Sequence, residues 1–193
     1  MKILNAEPGF SQPMTEDETI SFLTSGRRNI YIASLDEKNE PNIHPVWYYF
    51  DSSNQKFYIE TSKYSKKKKN LENNKIVYFC VDEPNIPYKG VRGKAKVNII
   101  QDIDSIVPIC ERNMKKYLGS LEHPMAKELV NLAKRGESVA IEISPLYFST
   151  WDDNKTKWTS YTHLLIIINL KKMICCLFFL LTENQIMIII KCY

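Results

Sequence analysis

Phe57-Tyr58-Ile59-Glu60-Thr61-Ser62-Lys63-Tyr64-Ser65-Lys66-Lys67-Lys68-Lys69-Asn70-Leu71 passes from an apolar run through hydroxyls into four consecutive lysines. A second apolar run, Ile76-Val77-Tyr78-Phe79-Cys80-Val81, follows it. The pattern predicts a strand, a helix capped by Ser65, and a second strand. Free backbone N–H groups and the positive end of the dipole lie where that helix starts, so an anion is favoured there. Lysine opposes the dipole at this end. Four in a row therefore face either an anionic partner or solvent as a basic helix face, and spacing alone leaves both open.

Working outward, the segments on either side read as a β protein with a few helices. A helix is predicted from Thr15 to Ser25, opened by a Thr15–Glu18 capping box and stopped by Gly26. Strands are predicted over Asn29–Leu35, Ile43–Phe50 and Phe57–Thr61, joined by polar turns as an antiparallel meander. Beyond the lysines come strands over Lys75–Asp82 and Lys89–Ile100. In the second, Val91, Gly93, Ala95, Val97 and Ile99 alternate with Arg92, Lys94, Lys96 and Asn98. Helices follow over Asp104–Leu118, where Pro108 is tolerable in the first turn, and over Pro124–Lys134. Strands over Ser138–Ser144 and Leu146–Trp151 complete the set. Six or seven antiparallel strands of this length close most readily as a small barrel, which removes exposed edges.

With 193 residues the chain is long enough for one domain with a real core and an appendage. A net charge of +4 is too small to imply nucleic acid, so the local density between Lys63 and Lys69 matters more. Five cysteines form no C-x-x-C, and His44, His123 and His163 lack metal-ligand spacing, so no metal is expected. Cys80 and Cys110 lie in apolar surroundings, as reduced thiols do. That odd count, with no signal sequence, leads us to expect the cytoplasm.

Composition changes after Trp158. Leu164–Ile168, Met173–Leu181 and Ile186–Ile190 are apolar, but Lys171-Lys172 and Glu183 interrupt them. A spanning helix needs about 20 largely apolar residues, so a membrane span is not expected. Residues 1–158 are expected to be the functional domain and residues 159–193 an extension outside it.

Two more stretches could touch a ligand. In His44-Pro45-Val46-Trp47, Pro45 removes one strand N–H, which strands tolerate at edges or bulges. The backbone there could lie along a flat ring; the alternative is a buried aromatic strand with a surface histidine. No acid stands at a spacing that would make His44 a general base, so no catalytic residue is assigned. In Pro87-Tyr88-Lys89-Gly90-Val91-Arg92-Gly93-Lys94, the strand can present several cations to one anion, and two glycines permit close approach. Neither a P-loop nor a dinucleotide-binding glycine motif occurs.

Taken in order, P-N-I-H-P-V-W-Y-Y-F-D, F-Y-I-E-T-S with S-K-K-K-K-N-L, V-D-E-P with P-Y-K-G-V-R-G-K-A, and K-Y-L-G resemble the pyridoxamine 5′-phosphate oxidase-like family. The resemblance covers Thr15 to Trp151 and is nearest the branch using FMN or the deazaflavin coenzyme F-420. It implies a mainly β fold with flanking helices, a six- to seven-stranded split β-barrel, and a homodimer with cofactor at the subunit interface. It implies that His44, Pro45, Val46 and Trp47 run beside the ring and that Glu60, Thr61 and Ser62 line the ring-to-ribityl region. Ser65, Lys66 and Lys67 match the phosphate segment, with Asn70 on the same helix. Tyr88 and Arg92 fall where relatives approach the cofactor, often from the other subunit. Lys68 and Lys69 match no family role.

The implied activity is hydride transfer between bound cofactor and a small redox substrate. The arginine- and histidine-bearing C-terminal segment of the true oxidase has no counterpart after Trp151, which argues against pyridoxamine phosphate as that substrate. Two alternatives remain: a non-catalytic flavin or haem carrier, with His44 and His123 as the histidines to examine, and a basic nucleic-acid patch at Lys66–Lys69 with steep salt dependence.

Overall fold

The computed structural model describes residues 1–156; the apolar tail predicted from residue 159 onward lies outside them, as does the boundary at 158. The described residues form nine strands and four α-helices. They are β1 (Ile3–Asn5), α1 (Glu16–Thr24), β2 (Ile30–Leu35), β3 (Pro41–Val46), β4 (Tyr49–Asp51) and β5 (Lys56–Ser62). Then come α2 (Lys66–Asn73), β6 (Ile76–Glu83), β7 (Lys89–Ile100), α3 (Ile103–Leu118), α4 (Pro124–Lys134), β8 (Ser138–Pro145) and β9 (Phe148–Asp152).

Seven strands run in the order β3-β2-β6-β7-β8-β5-β4, every neighbouring pair antiparallel. The two ends of this path, β3 and β4, are joined in the chain by Trp47 and Tyr48 alone. Three peptide steps reach at most about 11 Å, so the sheet has to curl until its outermost strands meet. The result is a split β-barrel. Strand β7 makes the split: along one side it pairs β6 over Lys89–Lys96, while on the other it pairs β9 over Lys89–Arg92 and β8 over Ala95–Ile100.

The barrel interior is filled by Phe22, Leu23, Ile30, Ile32, Tyr48, Phe50, Phe57, Ile59, Leu71, Val77, Phe79, Val91 and Ile143, all buried. Phe50, Phe57, Phe79 and Phe148 meet edge-on or tilted, with centroids 4.9–6.4 Å apart. A second apolar layer, built on Ile106, Cys110, Met114, Ala126, Val130 and Ala140, seats the α3–α4 pair on the outside of the sheet.

Three local expectations change. The single strand over Ile43–Phe50 breaks at Trp47 and Tyr48: the Tyr48 hydroxyl donates to the Leu23 carbonyl, and its N–H donates to the Tyr117 hydroxyl. Pro108 stands in the second turn of α3, not the first, because Asp102 caps the helix and moves its start upstream. Strand β1 was not anticipated. It pairs β9 in parallel, with Ile3 opposite Phe148.

Candidate functional site

The lysine stretch folds as its residue types require. At the end of β5 the chain turns through Lys63 and Tyr64, with Ser65 N–H donating to the Ser62 carbonyl at 3.0 Å. The Ser65 hydroxyl then accepts from the Lys68 N–H at 3.3 Å and caps α2. Asn70 and Leu71 on its inner face are buried, so the lysines ring its outer side.

Those four lysines have different partners. Lys68 pairs with Glu72 one turn on, and Lys69 with Glu37, both at 2.7 Å. Lys66 reaches Asp36 at 3.4 Å from a largely exposed position. Asp36 already accepts from the Lys38 and Glu40 N–H groups, which, with Glu40 foremost, hold its carboxyl below the usual range. Lys67 differs. It is half-buried and donates to the Thr61 hydroxyl at 2.8 Å, a neutral partner. Burial pushes its pKa down, and the Glu60 carboxylate offsets part of that. Glu60 is itself pushed up by burial, opposed by a Ser138 hydrogen bond and by Lys67. A half-buried ammonium bonded to a hydroxyl, with its nearest counter-charge half-buried too, is an electrostatically under-satisfied cation.

His44 belongs to the same cluster. Its Nε2 lies 3.3 Å from Ser34 Oγ, and Asn70 Nδ2 donates to that same Oγ at 3.0 Å. Burial, then Lys67 and Lys66, lower the imidazole pKa. Ser34 and Asn70 are nearly fully buried. His44, Ser65, Lys66, Lys67, Asn70, Glu60 and Thr61 thus gather around the first turn of α2, and Ser62 sits at the turn beside them. Ser34 and Ser138 are additions that the sequence alone did not single out, since isolated hydroxyls on alternating strands carry no spacing signal.

Tyr88 and Arg92 are not brought there. Residues paired across a sheet share a face, and successive residues alternate faces. Pro45 pairs Tyr31, Tyr31 pairs Cys80, and Cys80 pairs Arg92, forming one row. The neighbouring row, His44–Ile32–Phe79–Gly93, points into the barrel. Arg92 and His44 therefore lie on opposite faces. The Arg92 face carries a groove of about 560 Å³ lined by Tyr31, Ile43, Tyr78, Cys80, Arg92 and Tyr147 among others. Tyr88 is exposed where β7 begins, its carbonyl accepting from the Asp153 N–H at 2.9 Å.

Val46 packs against the barrel core, and Trp47 stacks on Tyr117, centroids 4.8 Å apart and rings 6° from parallel. Pro45 is exposed on β3, an end strand of the sheet path that among the described residues pairs with β2 alone, so its missing N–H costs no central hydrogen bond. His123 caps α4, its Nδ1 accepting from the Met125 N–H at 3.2 Å. Among the described residues no group of three or more metal-ligating side chains occurs. No helix among them is long and apolar enough to cross a membrane.

A family model described as pyridoxamine 5′-phosphate oxidase matches residues 16–152. Among solved structures, a conserved hypothetical protein from Mycobacterium tuberculosis is similar at 20% identity and TM-score 0.66, covering 78% of this chain and 92% of its own. A protein titled an F-420 reductase matches at 20% identity and TM-score 0.52, over 66% of this chain and 93% of its own. A haem storage protein from Vibrio cholerae matches at 14% identity and TM-score 0.53, over 68% and 91%. At such identities the likeness is one of fold. No curated protein matches the chain.

Proposed function

The chain belongs to the pyridoxamine 5′-phosphate oxidase family, and from that premise we propose that it is an oxidoreductase working with FMN or coenzyme F-420. One observation carries the reading: Lys67 is a half-buried cation bonded to a hydroxyl, at the capped start of a helix, with Lys66 beside it. That donor set fits a phosphate. An ammonium that has lost water and met only a neutral oxygen gains most from an anion, and the first N–H groups of α2 add to the attraction. Lys68 and Lys69 are already paired and play no part.

In this reading Ser65, Lys66 and Lys67 anchor the phosphate, with Asn70 holding the inner face of the helix. Glu60, Thr61 and Ser62 line the stretch between phosphate and ring. His44, Pro45 and Val46 border the ring along β3, whereas Trp47, stacked on Tyr117, fixes the corner that aims them. Tyr88 and Arg92 complete the site from a second copy of the chain, because within one copy Arg92 faces away. When bound, the cofactor supplies two-electron hydride chemistry. The protein's share is binding, orientation and exclusion of water around a small substrate, and no side chain is given a proton-transfer role. The F-420 reductase among the structural neighbours supports an oxidoreductase of this type.

The reading is tested by titrating FMN and F-420 against the purified full chain by fluorescence. One of them is expected to saturate. Replacing Lys66 and Lys67 together by alanine should remove about 1.5–3 kcal/mol of binding for each contact, while the unfolding midpoint hardly moves. Unchanged affinity in the double variant would overturn the phosphate assignment.

A further inference from the structure

Ser34 is almost fully buried, and its hydroxyl is held from both sides. Asn70 Nδ2, an obligate donor, points at Oγ from 3.0 Å, so Oγ accepts there. The hydroxyl proton then needs an acceptor of its own, because a buried O–H left unpaired is costly. His44 Nε2, 3.3 Å away, is that acceptor. Were Nε2 to carry a proton and donate, Oγ would receive two donors and its own proton would be stranded.

We propose that Asn70 and Ser34 lock His44 as a neutral imidazole with its proton on Nδ1, so that the ring offers Nδ1–H as a fixed donor beside Lys66 and Lys67. Asn70 and Ser34 are positioning residues that act through His44. The charged groups acting on the imidazole are Lys66 and Lys67, both on α2, while β2 contributes Ser34 and buried Ile32. With two cations nearby and no carboxylate among the groups that perturb it, the imidazolium form is disfavoured. A neutral donor differs from a lysine in kind: it directs a hydrogen bond to a carbonyl or ring nitrogen without adding charge. What that donor serves rests on the flavin or deazaflavin reading, where an uncharged polar edge of the ring is its partner. The tautomer itself does not depend on it.

The test is the nitrogen spectrum of the full chain labelled with 15N-histidine near pH 7.5, with the His44 resonances identified by their loss in His44→Gln. In the wild type, Nδ1 is expected to carry the proton and Nε2 to be bare. In Ser34→Ala the proton should redistribute toward Nε2, and Ser34→Thr should restore the wild-type pattern. Affinity for whichever cofactor saturates should fall roughly 3- to 10-fold in Ser34→Ala, the scale of one neutral hydrogen bond. A wild-type His44 protonated on Nε2 or on both nitrogens overturns the proposal even if Ser34→Ala fails to fold. So does an unchanged tautomer in a folded Ser34→Ala. If neither FMN nor F-420 binds the wild type while the tautomer is as stated, the cofactor reading falls and this inference stands.

Discussion

Lys116 carries its ammonium into an aromatic enclosure, 3.6 Å from the Tyr48 ring centroid and 5.4 Å from that of Tyr117, with no hydrogen-bond partner among the described residues. Burial, with Arg28 adding to it, pushes its pKa down to about 8. An unfolded lysine titrates near 10.4. The folded value is the lower one, so between about pH 8 and 10.4 the unfolded chain holds more protons and stability rises with pH. Below pH 8 the cost of the buried charge is fully present. Cation–π attraction returns part of that cost. Lys116→Met is therefore expected to be about 1 kcal/mol more stable than the wild type at pH 7, and that advantage should shrink at pH 9.5. Urea unfolding at both values checks it, and an advantage that grows with pH would contradict the account. Little of this was legible from residues alone. The K-Y pair at Lys116-Tyr117 reads as an ordinary amphipathic face until the corner at Trp47 and Tyr48 is placed over it. Lys66 and Lys67 were legible because four lysines at a helix start break a local electrostatic preference. Ser34 and Ser138 break none.

At the scale of elements, β7 shows how a strand serves two neighbours on one side. Near the changeover from β9 to β8, a Cβ at Gly93 would stand 2.2 Å from the Tyr147 carbonyl oxygen and 2.8 Å from the Phe79 ring. The carbonyl belongs to backbone that is itself pinned, since the Leu146 N–H donates to the Lys94 carbonyl at 2.8 Å. Gly93→Ala is thus expected to cost roughly 1–3 kcal/mol through overpacking, measured as a lower urea midpoint with unchanged slope. A stability within 0.5 kcal/mol of wild type, the usual reach of a neutral substitution, would mean that the carbonyl yields. Most elements of the barrel could be placed from periodicity and caps: the Thr15–Glu18 capping box, the Ser65 cap and the alternation along Lys89–Ile100 all stand as the sequence suggests. Elements that escaped are those whose cause is remote. Strand β1 has three residues and a partner more than 140 positions away. The break at Trp47 and Tyr48 falls among β-forming aromatics and is set by Leu23 and Tyr117.

For the whole molecule, the question is what covers the Arg92 face. Met1–Lys155 form one compact unit, and we expect a chain ending at Trp158 to keep both that fold and its cofactor affinity; loss of either would place the tail inside the functional domain. On the groove side of the sheet, Ile43 is 69% exposed, Tyr78 54% and Tyr31 41%. Large side chains clustered on one face mark an interaction surface. The cluster around Lys67, which we propose as the phosphate anchor, has no Arg92 beside it. A second copy packed groove-to-groove would bury these side chains and bring a second Arg92 to this face, whose row ends at Pro45 on the β3 edge where the ring is proposed to lie. Ile43→Glu plants a charge in the middle of that face without touching Ser65, Lys66 or Lys67. Sedimentation equilibrium should find the wild type dimeric and this variant monomeric, with cofactor affinity reduced at least 10-fold in the monomer. A monomeric variant that binds as tightly as wild type would show that one chain completes its own site, and Arg92 would then have no part in it.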